Sequence, residues 1–298
     1  MLVNDPQPIS DGYSESPGRM AIRRFLGHRL AIIGGIYLVA VLLVVALAPI
    51  VAPYDPLAID LAASVMAPNT SHLLGTDIAG RDVLSRLIYG TRVSLIVGLA
   101  AALVSTTIGL SLGLCAGFYR GLVDSVIMRS TEIIMSFPVL ILLVMTGVLI
   151  TPGVVSIVLG IGFFSWPTTC RIVRGMVLTL REQDFILAGR AVGASSFRLL
   201  WRHLMPMVIA PVIVATTLLV ADGILLEAML SYLGFGIQPP QPSLGAMLNE
   251  TQDIGILVGM PWLWISPGLA ISVTVLAVNF VGDALRDGFD PQKILGGG

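Results

Sequence analysis

The chain has 298 residues, is 55% hydrophobic and only 12% charged, and has a mean hydropathy of +0.91. A soluble globular domain carries about twice that charged fraction, so the composition excludes an ordinary soluble enzyme and points to an all-α polytopic membrane protein. A net charge of −1 gives no sign of a nucleic-acid partner.

Residues 1–18 are polar and slightly acidic (Asp5, Asp11, Glu15) and read as a disordered tail. Arg19, Arg23, Arg24 and Arg29 then lead into an apolar run, 30–52, too long for a signal-peptide core and without a cleavage site. It is expected to be an uncleaved first span. A long segment follows to about residue 92, containing "HLLGTDIAGRDVLSRLIYGTRVSL". The second span, 93–117, is rich in small residues (Gly98, Gly109, Gly113, Gly117) that suit close helix packing. The third, 125–149, carries Glu132, Ser136 and Pro138, and the fourth, 153–175, carries Pro167. Both prolines predict kinks, and Thr151–Gly153 predicts a tight turn between these spans. The fifth span, 207–233, holds Asp222 and Glu227. A second long loop, 234–261, precedes the sixth span, 262–282, and a tail, 283–298.

Orientation follows from the basic residues. With the N-terminus inside, fourteen of the 17 lysines and arginines fall on the inner side; only Arg81, Arg86 and Arg92 fall outside. Both termini are therefore expected in the cytoplasm. Ionisable residues within spans are expensive and are candidates for function. Glu132, Asp222 and Glu227 each admit two readings. They line a polar path or pair across helices, or they are solvated or locally paired near an interface. Asp222 is expected deeper than the other two and is read as having a pathway or interface role.

No catalytic constellation stands out. Cys115 and Cys170 share no ligand spacing with His28, His72 or His203 and read as free thiols. "GASS" at Gly193–Ser196, near His203, has the types of a serine hydrolase, but a serine there is more simply a helix cap. Lys293 is the chain's single lysine and no glycine-rich loop precedes it, so a nucleotide-binding G-x-x-x-x-G-K-[ST] loop is impossible.

The segment "AGRAVGASSFRLLWRHLMP" (Ala188–Pro206) interrupts the apolar pattern with Arg190, Arg198, Arg202 and His203. A helix is expected up to Val192, with Phe185, Ala188, Ala191 and Val192 near one face. Gly193 breaks it. Ser195 or Ser196 then caps a second short helix with Phe197, Leu200, Trp201 and Leu204 on one side and Arg198 and Arg202 on its flank, ended by Pro206. Such a helix suits docking into a partner's groove, or lying on anionic lipid.

This segment resembles the EAA loop of binding-protein-dependent ABC importer permeases, E-A-A-x3-G-x9-I-x-L-P. Ala188, Gly193 and Pro206 fall on the pattern; Leu187 replaces the Glu, Gly189 the second Ala, His203 the Ile and Met205 the Leu. "GTDIAGRDVLSRLIYGTRVSL", "LSYLGFGIQPPQPSLGAML" and "GDALRDGFDP" are similar to the dipeptide/oligopeptide permease C-subunit family over nearly the whole chain. The resemblance implies a leader span and outer loop (19–92), a type I ABC transmembrane domain (93–282) and no catalysis by the chain itself. It further implies a bacterial cytoplasmic-membrane location, a homologous B-type permease subunit, two ATPase subunits holding ATP and Mg, an extracytoplasmic binding protein and a peptide substrate. Glutathione or nickel as cargo, and an ion-coupled secondary transporter, remain alternatives. The coupling segment would comprise Ala188, Gly193, Ala194, Ser195, Phe197, Arg198, Leu200, Trp201, Arg202 and Pro206, with Phe197, Leu200 and Trp201 as its apolar anchor. The outer loops, especially 75–92 and 234–247, would meet the partner permease or the binding protein.

Overall fold

The computed structural model describes residues 27–149 and 153–289. The expected tail 1–18, the Thr151–Pro152 part of the hairpin turn and residues 290–298 lie outside these ranges.

The described residues form an almost wholly helical bundle. Its elements are α1 (Arg29–Ala46), α2 (Val83–Tyr119), α3 (Gly121–Met135), α4 (Val139–Leu149), α5 (Val154–Leu180), α6 (Asp184–Ala191), α7 (Ser196–Tyr232), α8 (Leu244–Asn249), α9 (Ile254–Gly259) and α10 (Pro261–Phe289). Helices α1, α2, α5, α7 and α10 are long and apolar enough to cross a membrane; the bent pair α3–α4 makes six spans when counted as one. The expected kink at Pro138 is an 85° break across Ser136–Pro138. Pro138 lacks the N–H that would continue the helix.

Small residues set the bundle's closest approach. Gly109, Gly113 and Gly117 lie on one stripe of α2 and meet α5 at Trp166–Cys170, Cys170–Val173 and Arg174–Val177 in turn. The two helices therefore run parallel. A Cβ at any of the three glycines would come within 2.7 Å of α5, so only glycine allows this packing. On the other side, α7 runs antiparallel to α2, with Gly98 against Gly223 and Thr106 hydrogen-bonded to Thr216 at 2.9 Å. Helix α1 packs on α10, where Gly34 sits against the Ala277 backbone.

Span two starts ten residues earlier than expected. Asp82 caps it, its carboxylate accepting from the Ser85 N–H at 2.8 Å and the Ser85 hydroxyl at 2.7 Å. Two of the three arginines in this stretch, Arg81 and Arg86, are paired within the protein. Arg86 is buried and donates to Glu250 at 2.6 and 2.8 Å and to Asp77; Arg81 donates to Asp77 at 2.7 Å and to Glu250 at 3.1 Å. This cluster ties the 53–82 loop to the 234–261 region, and His72 adds a 2.9 Å contact to Asp82. It marks one end of the bundle, the loop end. The opposite end, where α6 lies, carries Arg120, Arg174, Arg181 and Arg190 (the arginine end).

Candidate functional site

Two regions hold the residues singled out in the sequence. The first is at the arginine end. Helix α6 buries Ile186, and not the Phe185, Ala188, Ala191, Val192 face expected; Phe185, Ala188 and Val192 are exposed. Ile186 joins a core with Leu114, Phe118, Val173, Val177, Leu199, Leu200, Leu204 and Val208. The helix ends in a Schellman motif. Ala194 N–H donates to Gly189 O at 3.0 Å and Gly193 N–H to Arg190 O at 2.9 Å. Gly193 has φ +81°, a left-handed conformation that glycine adopts without a Cβ penalty. Ser195 then caps α7, accepting from the Arg198 N–H at 3.4 Å.

Pro206 does not end this helix. Helix α7 runs unbroken from Ser196 to Tyr232 through a π-helical stretch at Leu199–Leu204, where Met205 N–H reaches back five residues to Leu200 O. A proline clashes with the carbonyl four residues before it and has no N–H to give. The wider turn just ahead of Pro206 accommodates both conditions.

The same widening moves Leu200. At 3.6 residues per turn, Phe197, Leu200, Trp201 and Leu204 share a face. In the π turn Leu199, Leu200 and Leu204 point inward instead, and Leu200 is only 5% exposed. Leu200 is thus part of the chain's own core in this conformation. Phe197 (70% exposed) and Trp201 (44%) are left as an outward aromatic pair, ring centroids 6.0 Å apart. Val192, in the turn before α7, is 88% exposed. Arg198 and Arg202 are exposed beside the pair.

Leu187, where the EAA pattern has Glu, is half-exposed, so no carboxylate braces the loop there. The bracing is of another kind. Arg181 donates to Phe118 O at 2.8 Å, and the Arg190 guanidinium lies 5.0 Å from the centre of the Phe118 ring. Gly189, in place of the second Ala, packs against Leu199, whose Cδ2 would lie 2.9 Å from an added Cβ. Beneath the loop, Arg174 holds Asp124 with two hydrogen bonds of 2.5 and 2.7 Å.

The second region is a cavity of about 430 Å³ at the α3–α4 elbow, walled by α5 and α7. Phe137 and Val139 line it, and Ser136 and Pro138 shape the bend between them. Of the three acids singled out in the sequence, Glu132, Asp222 and Glu227, only Asp222 lines it. Glu132 is exposed and pairs with Arg129 at 2.9 Å. Glu227 is fully buried between helices, accepting from Ser94 at 2.5 Å and Ser231 at 2.8 Å. Through Ser231, which accepts from Ile237 N–H at 3.1 Å, it also anchors the loop after α7.

Sequence reasoning missed the Asp77–Arg86–Glu250 cluster and the Arg174–Asp124 pair. The first had a local signal for one of its pairs alone, Asp77 four residues before Arg81. The second has partners 50 residues apart and left none.

The fold is that of a helical bundle with five or six membrane-crossing segments. Residues 109–294 match the model for the binding-protein-dependent transport system inner membrane component, and 16–68 match the N-terminal transmembrane domain of oligopeptide transport permease C. A protein of Brucella suis provisionally named a peptide permease is 42% identical over 95% of this chain and 93% of its own length. The dipeptide transport system permease protein of Haemophilus influenzae is 38% identical over 90% and 92%. The glutathione transport system permease protein of Pectobacterium atrosepticum is 36% identical over 95% and 94%. Among solved structures, an inward-facing form of the MetNI methionine ABC transporter aligns with a TM-score of 0.53 at 21% identity, covering 69% of this chain and 97% of that one. The fold is that of a type I ABC importer transmembrane domain. The chain belongs to the binding-protein-dependent transport system inner membrane component family.

Proposed function

We propose that this chain is one of two permease subunits in an ATP-driven importer of peptides across the bacterial cytoplasmic membrane, with the arginine end and both termini in the cytoplasm. The basic-residue asymmetry supports that orientation, and the dipeptide and peptide relatives support the cargo. Nucleotide chemistry then belongs to two partner ATPase subunits, since this chain has no P-loop. A homologous permease subunit completes the path and an extracytoplasmic binding protein delivers peptide at the loop end.

One observation carries the reading. The exposed Phe197 and Trp201 stand in the first turns of α7, the helix that carries Asp222 at the cavity. A push on this pair is a push on the cavity wall. ATP-dependent closure of the ATPases would favour one arrangement of the bundle and release would favour the other, which is alternating access. Reconstitution with candidate ATPase, partner permease and binding-protein subunits tests it. Peptide uptake is expected to require ATP and to stop with vanadate. Uptake by this chain alone, driven by an ion gradient, would replace this reading with a secondary transporter.

A further inference from the structure

Asp222 is ten residues before the end of α7 at Tyr232. At about 1.5 Å per residue that is about 15 Å, half of a hydrocarbon core about 30 Å thick. Of the other acids on these helices, Glu227 accepts from two serines, Asp124 from Arg174 and Glu132 from Arg129, Asp287 pairs with His28, and Asp283 lies exposed in the last turns of α10, away from mid-span. Asp222 has no hydrogen bond or ion pair among the described residues. An ionised carboxylate at this depth needs a counter-charge, and an intramembrane acid is found paired or facing a pathway.

The surroundings say what the counter-charge is. Asp222 opens into the elbow cavity, whose walls include Phe137, Phe164, Leu225 and Met229, with the hydroxyls of Ser165 and Thr168. Its volume lies within the range of small-ligand sites, roughly 300–1,000 Å³. Ile134 and Met135, the last residues of α3, also line it. The carbonyl end of a helix carries partial negative charge, which favours a cation. No basic side chain of the described residues lines the cavity. The lining is therefore mostly apolar, with the Asp222 carboxylate, exposed on the open side of the cavity in this chain alone, and the carbonyl end of α3 as its negative groups.

We propose that Asp222 receives the α-ammonium group of the peptide in transit, while the apolar walls accept its side chains. This rests on the peptide-importer reading above. Every linear peptide with a free N-terminus carries that ammonium whatever its sequence, so one carboxylate serves a whole substrate class and also sets the direction in which the peptide enters.

The test uses the purified nucleotide-free complex without its binding protein, and equilibrium dialysis of labelled alanylalanine against its N-acetylated form. The wild-type complex is expected to favour the free amine at least tenfold, Asp222→Glu to keep most of that preference, and Asp222→Asn to erase it. No detectable binding, equal binding of both forms by the wild type, or a preference that survives Asp222→Asn would overturn the assignment. Failure of Asp222→Asn to assemble would also overturn it, placing the carboxylate at a subunit contact with a basic residue of the partner permease. Vanadate-sensitive peptide uptake by the same wild-type preparation keeps the parent reading intact in those cases; its absence would remove both.

Discussion

Leu200 and Trp201 are adjacent in sequence and face opposite ways. The difference comes from the π turn before Pro206, which puts Leu200 in the core with Leu199 and Leu204 and leaves Trp201 outside with Phe197. Their substitutions should separate stability from coupling. Leu200→Ala removes a core side chain and is expected to cost about 2–5 kcal/mol, seen as a lower thermal unfolding midpoint of the detergent-solubilised complex. Trp201→Asp is expected to leave that midpoint nearly unchanged and to abolish ATPase stimulation by the loaded binding protein. A Trp201→Asp complex with full stimulation would remove this aromatic pair from the docking surface. The sequence made Gly193 and Ser195 legible because each has a local role, a left-handed turn and a cap. Leu200 was not legible, because a 3.6-residue template cannot anticipate a wider turn.

At the scale of elements, the parallel α2–α5 seam fixes the bundle. Its glycine spacing was visible in the sequence; its partner was not, because sequence spacing names a face and not what covers it. Gly113→Val would place a branched side chain where a Cβ alone comes within 2.7 Å of Val173 and the Cys170 carbonyl. Overpacking of this kind costs typically 1–3 kcal/mol, so the complex is expected to unfold at a lower temperature. Gly175→Ala, with nothing within 4 Å of the added Cβ, is the matched control and should be neutral or slightly stabilising. Equal behaviour of the two variants would argue against the seam. The start of α2 shows why charge misleads a span assignment. Arg81 and Arg86 read as solvated loop residues, yet both are satisfied by Asp77 and Glu250 inside the fold. Such long-range pairing cannot be read from hydropathy.

For the whole molecule, the account joins two ends through one helix. The loop end is locked by buried ion pairs, and the arginine end presents an exposed aromatic tip. Helix α7 connects the tip to the Asp222 cavity and then to the Glu227 hydrogen bonds beneath the loop that follows it. Six apolar stretches and a basic interruption were enough to anticipate the spans and the segment between α5 and α7. The continuity of α7 through Pro206 was not, and it turns a hinged attachment into a rigid one. The most direct test places a photo-cross-linking residue at Val192 or Phe197, and separately at exposed Ile59 near the loop end, in the assembled transporter. The account predicts that the first two positions capture an ATPase subunit and Ile59 does not. Capture of the ATPase from Ile59, or none from Val192 and Phe197, would contradict it.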